Sequence, residues 1–542
     1  MRRRFLPRTE SCPELAEWEI EPLMASDELQ LAGPAPRIAL ISPYGDISSV
    51  GLRLVASCLK RAGFEVRMIF LPISSLESRG DVPSDAYFYP KRVLEQVAQQ
   101  CIGSLFIGIS FMTNYYDRTR QLCRFLRDNL GIPVVLGGVH PTLMPQECAP
   151  FADYLCIGEG EEAATELALH LAQDGECGQI KNIWPTSDGL PVRGPLRPLV
   201  HNLDLLPFPD YDLLDDYVLL EDELVRMTPD LLRFFLREGP VKSVTGTAYY
   251  IMLTSRGCKF NCTYCCNTAL KKKYPNQPWL RYRSPENIVE EITKAGEIMP
   301  FIGSIFFCDD SFLDRNVSEL DRFAALYKER AKLPFFCLGT PYGITQEKME
   351  ILTDAGMRYI QVGIQTGSPR TTRLYRRDIS NDKLLAVTDV IHKFSDRILP
   401  PRYDVIVDNP FETSRDVAET VRLLSRIKRP YFIQYFCLTL LPETELLRLA
   451  QEDGLIADMI TQVYRKQLFY KRKTYLNCLL YLFNTPIPPV LIRYLAARPF
   501  RFLFDRRWFE LTMGLVVRVR KRIFGAPGEG IKGLVGSRSP SH

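Results

Sequence analysis

"YYIMLTSRGCKFNCTYCCN", residues 249–267, runs from an apolar, aromatic-rich stretch into a loop with four cysteines, Cys258, Cys262, Cys265 and Cys266. The opening residues read as a buried strand, and the cysteines follow at its carboxyl end. Gly257 lets the backbone curl before the first of them. Three thiolates spaced x3 and then x2 can wrap one small centre, and soft sulfur ligands select zinc, copper(I) or an iron–sulfur cluster. A structural zinc site wants four ligands, usually as two separated pairs, and no second C-x-x-C is present. Cys266, adjacent to Cys265, is badly placed to share the same centre. Three ligands leave one corner of a cubane cluster free, which is what a catalytic centre requires. The alternative, four inert buried thiols, fits poorly with this density. Other cysteines, among them Cys58, Cys101, Cys123, Cys156, Cys337 and Cys437, fall singly in apolar patterns, where a thiol behaves as a small hydrophobe.

Downstream, the strand-like runs "SIFFCDD", "FFCLGT", "YIQVGIQ", "YDVIVDN" and "FIQYFCLTLLP" alternate with helical patterns such as "PENIVEEITKAGEI" and "SRDVAETVRLLSRI". Six consecutive βα units with no order reversal predict a partial (βα)6 barrel of the TIM type, whose chemistry sits at the strands' carboxyl ends. Those ends carry the cysteine loop, Asp309, Asp310, Gln365 and Asp408 to Thr413.

Upstream, residues 37–175 hold five short strand-like runs, most separated by a helical pattern. They predict an α/β, doubly wound, Rossmann-like parallel sheet, which binds ligands beyond its strands' carboxyl ends. The residues expected there are Ser42, Tyr44, Ser110, Thr113, Gly137, Gly138, His140, Gly158 and Glu159. No G-x-G-x-x-G follows the first strand, which disfavours a dinucleotide. Residues 176–243, rich in proline and aspartate, read as a linker. The expected organisation is an N-terminal extension (1–36), the sheet domain (37–175), the linker, the barrel (244–455) and a helical, basic C-terminal region (456–542) with a disordered end.

Composition sets outer bounds. The chain has 542 residues, 24% of them charged, and a net charge of +4, which gives no case for nucleic acid. The N-terminus begins basic without an apolar run, and no stretch of 18 apolar residues is present, so a cytoplasmic protein is expected. The tail "RRWFELTMGLVVRVRKRIF" mixes aromatic, aliphatic and basic residues, consistent with a solvated helix face or with peripheral contact to a membrane.

"CKFNCTYC", residues 258–265, resembles the C-x3-C-x-aromatic-C loop of the radical S-adenosylmethionine (SAM) superfamily. The resemblance implies that Cys258, Cys262 and Cys265 hold a [4Fe–4S] cluster whose fourth iron is chelated by SAM. One electron from the cluster then cleaves the sulfonium bond to give a 5′-deoxyadenosyl radical. It implies that Tyr264 packs near the adenine, that Asp309 and Asp310 in "FFCDDSF" meet the methionine amino group, and that Gln365 in "VGIQTGS" meets a ribose or carboxylate. "VDNPFET" resembles a later segment of the same superfamily. "VVLGGVHPTLMPQEC", "DYLCIGEGEEA" and "LDLLPFPDYDLL" resemble the cobalamin-binding domain and linker of its cobalamin-dependent branch. "YGDISSVG" lacks the D-x-H-x-x-G that supplies a histidine to cobalt, so cobalamin without a protein ligand on its lower face is expected, with His140 a hydrogen-bond donor near the corrin or its tail. Lys271 to Lys273, Arg281 and Arg283 are candidates for an anionic substrate or the cobalamin tail.

The function so implied is radical methyl transfer to an unactivated carbon of a small-molecule or lipid substrate. An external one-electron donor such as a flavodoxin or ferredoxin would serve it. A radical cyclase or rearrangement enzyme, and a cofactor-binding protein without cobalamin chemistry, are the competing readings.

Overall fold

The computed structural model describes residues 35–72, 87–173, 179–238, 246–310, 312–466, 474–497 and 500. The expected N-terminal extension and the aromatic-basic tail from 501 onward lie outside the described residues.

Five strands, β1 (Arg37–Ser42), β2 (Glu65–Phe70), β3 (Ser104–Ser110), β4 (Val134–Gly137) and β5 (Tyr154–Cys156), fall where the apolar runs place them. They pair in parallel in the order β5-β4-β3-β1-β2. β1 is buried along almost its whole length, as a parallel strand covered on both faces must be. Helices Val50–Arg61 and Glu161–Ala172 pack together, as do Lys91–Cys101 and Tyr116–Leu130. The arrangement is doubly wound.

The stretch expected to be a linker builds more than that. β6 (Ile183–Ser187) and β7 (Leu190–Pro191) extend one edge of the sheet. β8 (Asp216–Leu220) adds in parallel beside β2, and β9 (Glu223–Arg226) returns antiparallel, giving a nine-stranded sheet. Arg53 ties this segment down. Fully buried between the Phe70 and Tyr211 rings, 4.4 and 4.0 Å from their centroids, it donates to the Asp210 carbonyl at 2.6 Å and lies 3.6 Å from Asp216. Such a cation is retained only where hydrogen bonds and a counter-ion replace its water.

The second sheet is built from β10 (Ala248–Met252), β13 (Ile302–Phe307), β14 (Phe335–Gly339), β15 (Met357–Gln365), β16 (Arg402–Val407) and β17 (Phe432–Cys437), all parallel and in sequence order. This is the half-barrel the βα alternation predicts. A two-stranded ladder, β11 (Ser255–Arg256) with β12 (Arg281–Tyr282), closes the loop that contains the cysteines.

After the barrel the chain returns to the N-terminal sheet domain. The Tyr464 hydroxyl bonds Glu147 at 2.5 Å and Arg465 pairs with Asp117 at 2.5 Å. Helices Tyr475–Leu482 and Pro489–Leu495 follow, with Asn484 bonding both the amide and the carbonyl of Ile433 on β17, each at 2.8 Å. Among the described residues no helix is long and apolar enough to cross a membrane.

Candidate active site

The cysteine loop is held from both ends. Upstream, the fully buried Asp309 carboxylate at the tip of β13 accepts from the Thr254 amide (2.8 Å), the Thr254 hydroxyl (3.0 Å) and the Ser255 hydroxyl (2.6 Å). Arg315 closes the knot by donating to the Thr254 carbonyl at 2.7 Å. Burial raises the Asp309 carboxyl, with Arg315 and the three donors pulling against it. Downstream, the Thr263 hydroxyl donates to the Leu374 carbonyl at 2.7 Å, and the Thr263 carbonyl accepts from the Leu446 amide at 3.0 Å. Gly257 has φ +83°, and a Cβ there would stand 2.2 Å from the Trp279 carbonyl oxygen. No other residue fits where the loop crosses Trp279.

Within the loop, the Cys265 amide donates to the Cys262 carbonyl at 3.2 Å, which curls the chain. Burial pushes the Cys262 thiol up, partly offset by the Arg377 guanidinium. None of the described cysteines is in a disulfide. Among the described residues no three histidine, cysteine, aspartate or glutamate side chains stand grouped to hold a metal ion. Cys266 opens helix Cys266–Lys271, and its thiol is hydrogen-bonded with that of Cys265.

The expected SAM contacts separate. Both oxygens of Asp309 are committed to the loop, so it positions the loop and does not meet the ligand. Asp310, the next residue, faces the cleft described below and accepts from Asn267 at 2.8 Å. Just past the end of β13, one aspartate is buried and its neighbour lines the cleft. Gln365 ends β15 with φ +70°, half-buried, its side-chain amide without a hydrogen-bond partner among the described residues. The Tyr264 ring packs edge-on against Tyr375 with centroids 4.8 Å apart. Its hydroxyl accepts from Arg377 at 3.3 Å, while Arg377 also donates to the Gly363 carbonyl at 2.9 Å. Asp408 accepts from Asn477 of the C-terminal helix at 2.7 Å.

Between the two sheets lies a cleft of about 1800 Å³, counted out to open solvent. The tips of β3 to β5 form one wall, with Ser110, Gly137, Gly138, Gly158 and Glu159. Ser255, Arg256, Gly257, Asn267, Trp279 and Asp310 form the other. Gly138 has φ +95° and Gly158 φ +85°; a Cβ on Gly158 would lie 1.8 Å from the Tyr274 hydroxyl. Bare backbone, a broad opening and a mainly apolar lining fit a large flat corrin. Residues of both sheets line this space.

Four residues expected at the corrin lie elsewhere. Ser42 is fully buried with its hydroxyl 2.5 Å from that of Ser49. Tyr44 packs edge-on against Tyr115 at 5.1 Å, and Thr113 bonds the His140 ring at 3.1 Å. His140 is fully buried among Phe111, Tyr116 and Tyr464, with ring centroids at 5.2, 5.2 and 5.3 Å. Burial holds it down to about 3, so it is neutral. It is the second residue of a short helix, Val139–Leu143, which sets the ring in the aromatic core and away from the cleft. Among the described residues no histidine lines the cleft.

Glu159 faces the cleft, but its carboxylate is taken by Arg256 and Arg281, each at 2.9 Å. Although burial opposes it, these two arginines hold the carboxyl below its ordinary value. Arg256 also reaches Glu161. Because Arg256 directly precedes Gly257 and Cys258, this network ties the β5 tip to the cysteine loop. Arg281, one of the basic candidates for an anion, is thereby spent, and Arg283 is paired with Glu291 at 2.6 Å. Lys271 reaches Asn261 at 3.2 Å. Sequence reading missed Arg256, Trp279 and Arg377, because isolated arginines and a tryptophan in a loop carry no spacing signal.

Replacing Asp309 with asparagine is expected to lower the urea midpoint, with a loss of about 1.5–3 kcal/mol, and to speed removal of iron by a chelator. One amide oxygen cannot serve three donors, and Arg315 loses its charge partner.

Against known families, residues 36–168 match the B12 binding domain and residues 252–424 match the radical SAM superfamily. The chain thus carries a B12 binding domain followed by a radical SAM domain. It is 26% identical over 368 residues to an uncharacterized methyltransferase, PH0819, of Pyrococcus horikoshii, covering 66% of this chain and 72% of that one. It is 23% identical to bacteriochlorophyllide d C-8(2)-methyltransferase of Chlorobaculum tepidum, covering 65% of this chain and 69% of that one. To cytidylyl-2-hydroxyethylphosphonate methyltransferase of Streptomyces wedmorensis it is 22% identical, over 60% of this chain and 62% of that one. In fold it matches the radical SAM methyltransferase TsrM of Kitasatospora setae, whose structure holds cobalamin and a [4Fe-4S] cluster. The TM-score is 0.59 at 15% identity, over 77% of this chain and 78% of that one. It also matches the cobalamin-dependent radical SAM enzyme OxsB with a TM-score of 0.62 at 14% identity, over 90% of this chain and 75% of that one.

Proposed function

We propose that this protein is a cobalamin-dependent radical SAM methyltransferase that places a methyl group on an unactivated carbon of a small-molecule substrate. The observation that carries the reading is the shared cleft: the residues flanking the cysteines, Ser255 to Gly257 and Asn267, line one space with the tips of β3 to β5. Bound there, a [4Fe–4S] cluster, SAM and cobalamin would supply the radical and methyl chemistry, as cofactors do in general.

The chain's own residues hold and orient. Cys258, Cys262 and Cys265 offer three thiolates, and the Asp309–Arg315 knot fixes the strand from which they project. Gln365, and the Asp310 oxygen that Asn267 does not hold, present polar groups beside the loop, suited to the amino, carboxylate or ribose groups of SAM. The glycine tips admit the corrin, and the apolar lining excludes water from the space between the two cofactors. An external one-electron donor of the flavodoxin or ferredoxin kind completes the requirement.

The reading is tested with methyl-labelled SAM, the reconstituted protein and a small-molecule extract of its own cells. Label is expected in a product other than methionine, and that product should vanish with Cys258→Ala. Label confined to methionine would contradict methyl transfer and favour a cyclase or rearrangement.

A further inference from the structure

Helix Pro489–Leu495 is apolar on two sides. Ile492 and, just past the helix end, Ala496 are buried against the protein, and the Tyr475 hydroxyl donates to the Leu495 carbonyl at 2.9 Å. Val490, Leu491 and Tyr494 share the other side, by their spacing of three and four residues, and are 63, 48 and 61% exposed. Arg493 is exposed beside them. Adjoining apolar side chains left in water mark a contact surface. None of the three lines the cleft, so the cofactor site does not account for them.

The chain that continues from this helix has a composition that matches one kind of partner. The Phe500 ring lies 5.1 Å from that of Tyr494, so the next segment sets out from the apolar face itself. Residues 498–524 carry eight arginines and lysines against two acids, and six aromatic residues. The whole chain has a net charge of only +4, so the rest of the protein is net acidic and its basic excess is gathered in this one segment. Arginines and lysines interleaved with aromatic and aliphatic side chains suit the boundary of an anionic bilayer, where the charges meet lipid headgroups and the apolar groups enter beneath them. A nucleic acid would satisfy the charges but leave Val490, Leu491 and Tyr494 in water.

We propose that the outer face of helix Pro489–Leu495 and the basic segment that follows it form a docking surface for a bilayer containing anionic lipid. Val490, Leu491 and Tyr494 enter the headgroup boundary, and the arginines and lysines of 498–524 pair with the lipid phosphates. Because these residues stand outside the cleft, docking leaves the cofactor site unoccupied by lipid. The proposal concerns where the protein works and does not depend on the reaction proposed above.

The test uses the full chain, anaerobic, with cluster and cobalamin bound, sedimented with vesicles of phosphatidylcholine alone or with a third of it replaced by phosphatidylglycerol. The protein is expected to sediment with the anionic vesicles, to stay in solution with the neutral ones, and to be released as salt rises. Val490→Ser combined with Tyr494→Ser is expected to weaken binding to the anionic vesicles by about tenfold or more, the cost of withdrawing two apolar side chains from the boundary. Arg518→Gln, Arg520→Gln, Lys521→Gln and Arg522→Gln together should weaken it by more than about a hundredfold. Both variants should keep their iron and corrinoid content, which shows that the fold and the cleft are intact. Equal sedimentation with both vesicle types, none with either, or an unchanged affinity in the serine variant would overturn the proposal. So would retention of the protein by polyadenylate in place of vesicles, or a dimer in light scattering that the serine variant dissolves while vesicles are not bound.

Discussion

Cys258→Ala protein, reconstituted without oxygen, is expected to hold far less than the roughly four irons per chain of a cubane cluster, and to release no 5′-deoxyadenosine. Cys266→Ala is expected to keep both. The two thiols share a nine-residue loop but not a role. Cys258 follows Gly257 at the mouth of the cleft, and removing one of three ligands leaves the cluster two attachment points. Cys266 begins a helix and is hydrogen-bonded with Cys265, so its loss removes a neighbour and leaves the ligand set whole. Iron and sulfide analysis, with chromatography of the nucleoside, reads the difference. Equal iron loss in both variants would mean that the ligand set is misassigned.

The second large effect belongs to the sheet side of the cleft. Gly158→Val should abolish copurifying corrinoid absorbance while leaving the iron content intact. Two penalties combine there. The φ of +85° is one that a β-branched residue adopts only under strain, and the added Cβ would stand 1.8 Å from the Tyr274 hydroxyl. Bound cobalamin should fall by more than about tenfold, because strain of roughly 1–3 kcal/mol and the clash act together on the same tip. Gly158→Ala combined with Tyr274→Phe should recover part of the binding, since the second change removes the oxygen that the new methyl group meets.

Much of this architecture was legible from residue patterns because parallel strands buried on both faces are continuous apolar runs. β1 to β5 and the six barrel strands were all expected. β6 to β9 were not. β6 and β7 each contain a proline, which edge strands tolerate, and they were taken with the proline-rich linker around them. The cysteine triad was legible because ligand spacing is local. Which of Asp309 and Asp310 faces the cleft was not, since that depends on the phase of β13 and on donors at Thr254 and Ser255. His140 shows the same limit. At a strand tip it resembles a ligand-facing residue, yet Tyr464, distant in sequence, completes the aromatic cage that encloses it.

Glu159 illustrates how a correct location can carry a different role. It lies in the cleft as expected, but two arginines occupy its carboxylate, and one of them begins the cysteine loop. The segment that shapes the corrin wall is thereby joined to the segment that holds the cluster.

That juxtaposition is most directly tested by electron paramagnetic resonance of the fully loaded protein, with cobalamin in its cob(II) form and the cluster reduced. Two centres lodged in one cleft should interact, so that cob(II)alamin relaxes faster or shows splitting once the cluster becomes paramagnetic. Two signals that simply add, with the cobalt relaxation unchanged by cluster reduction, would place the centres in separate sites and contradict the account.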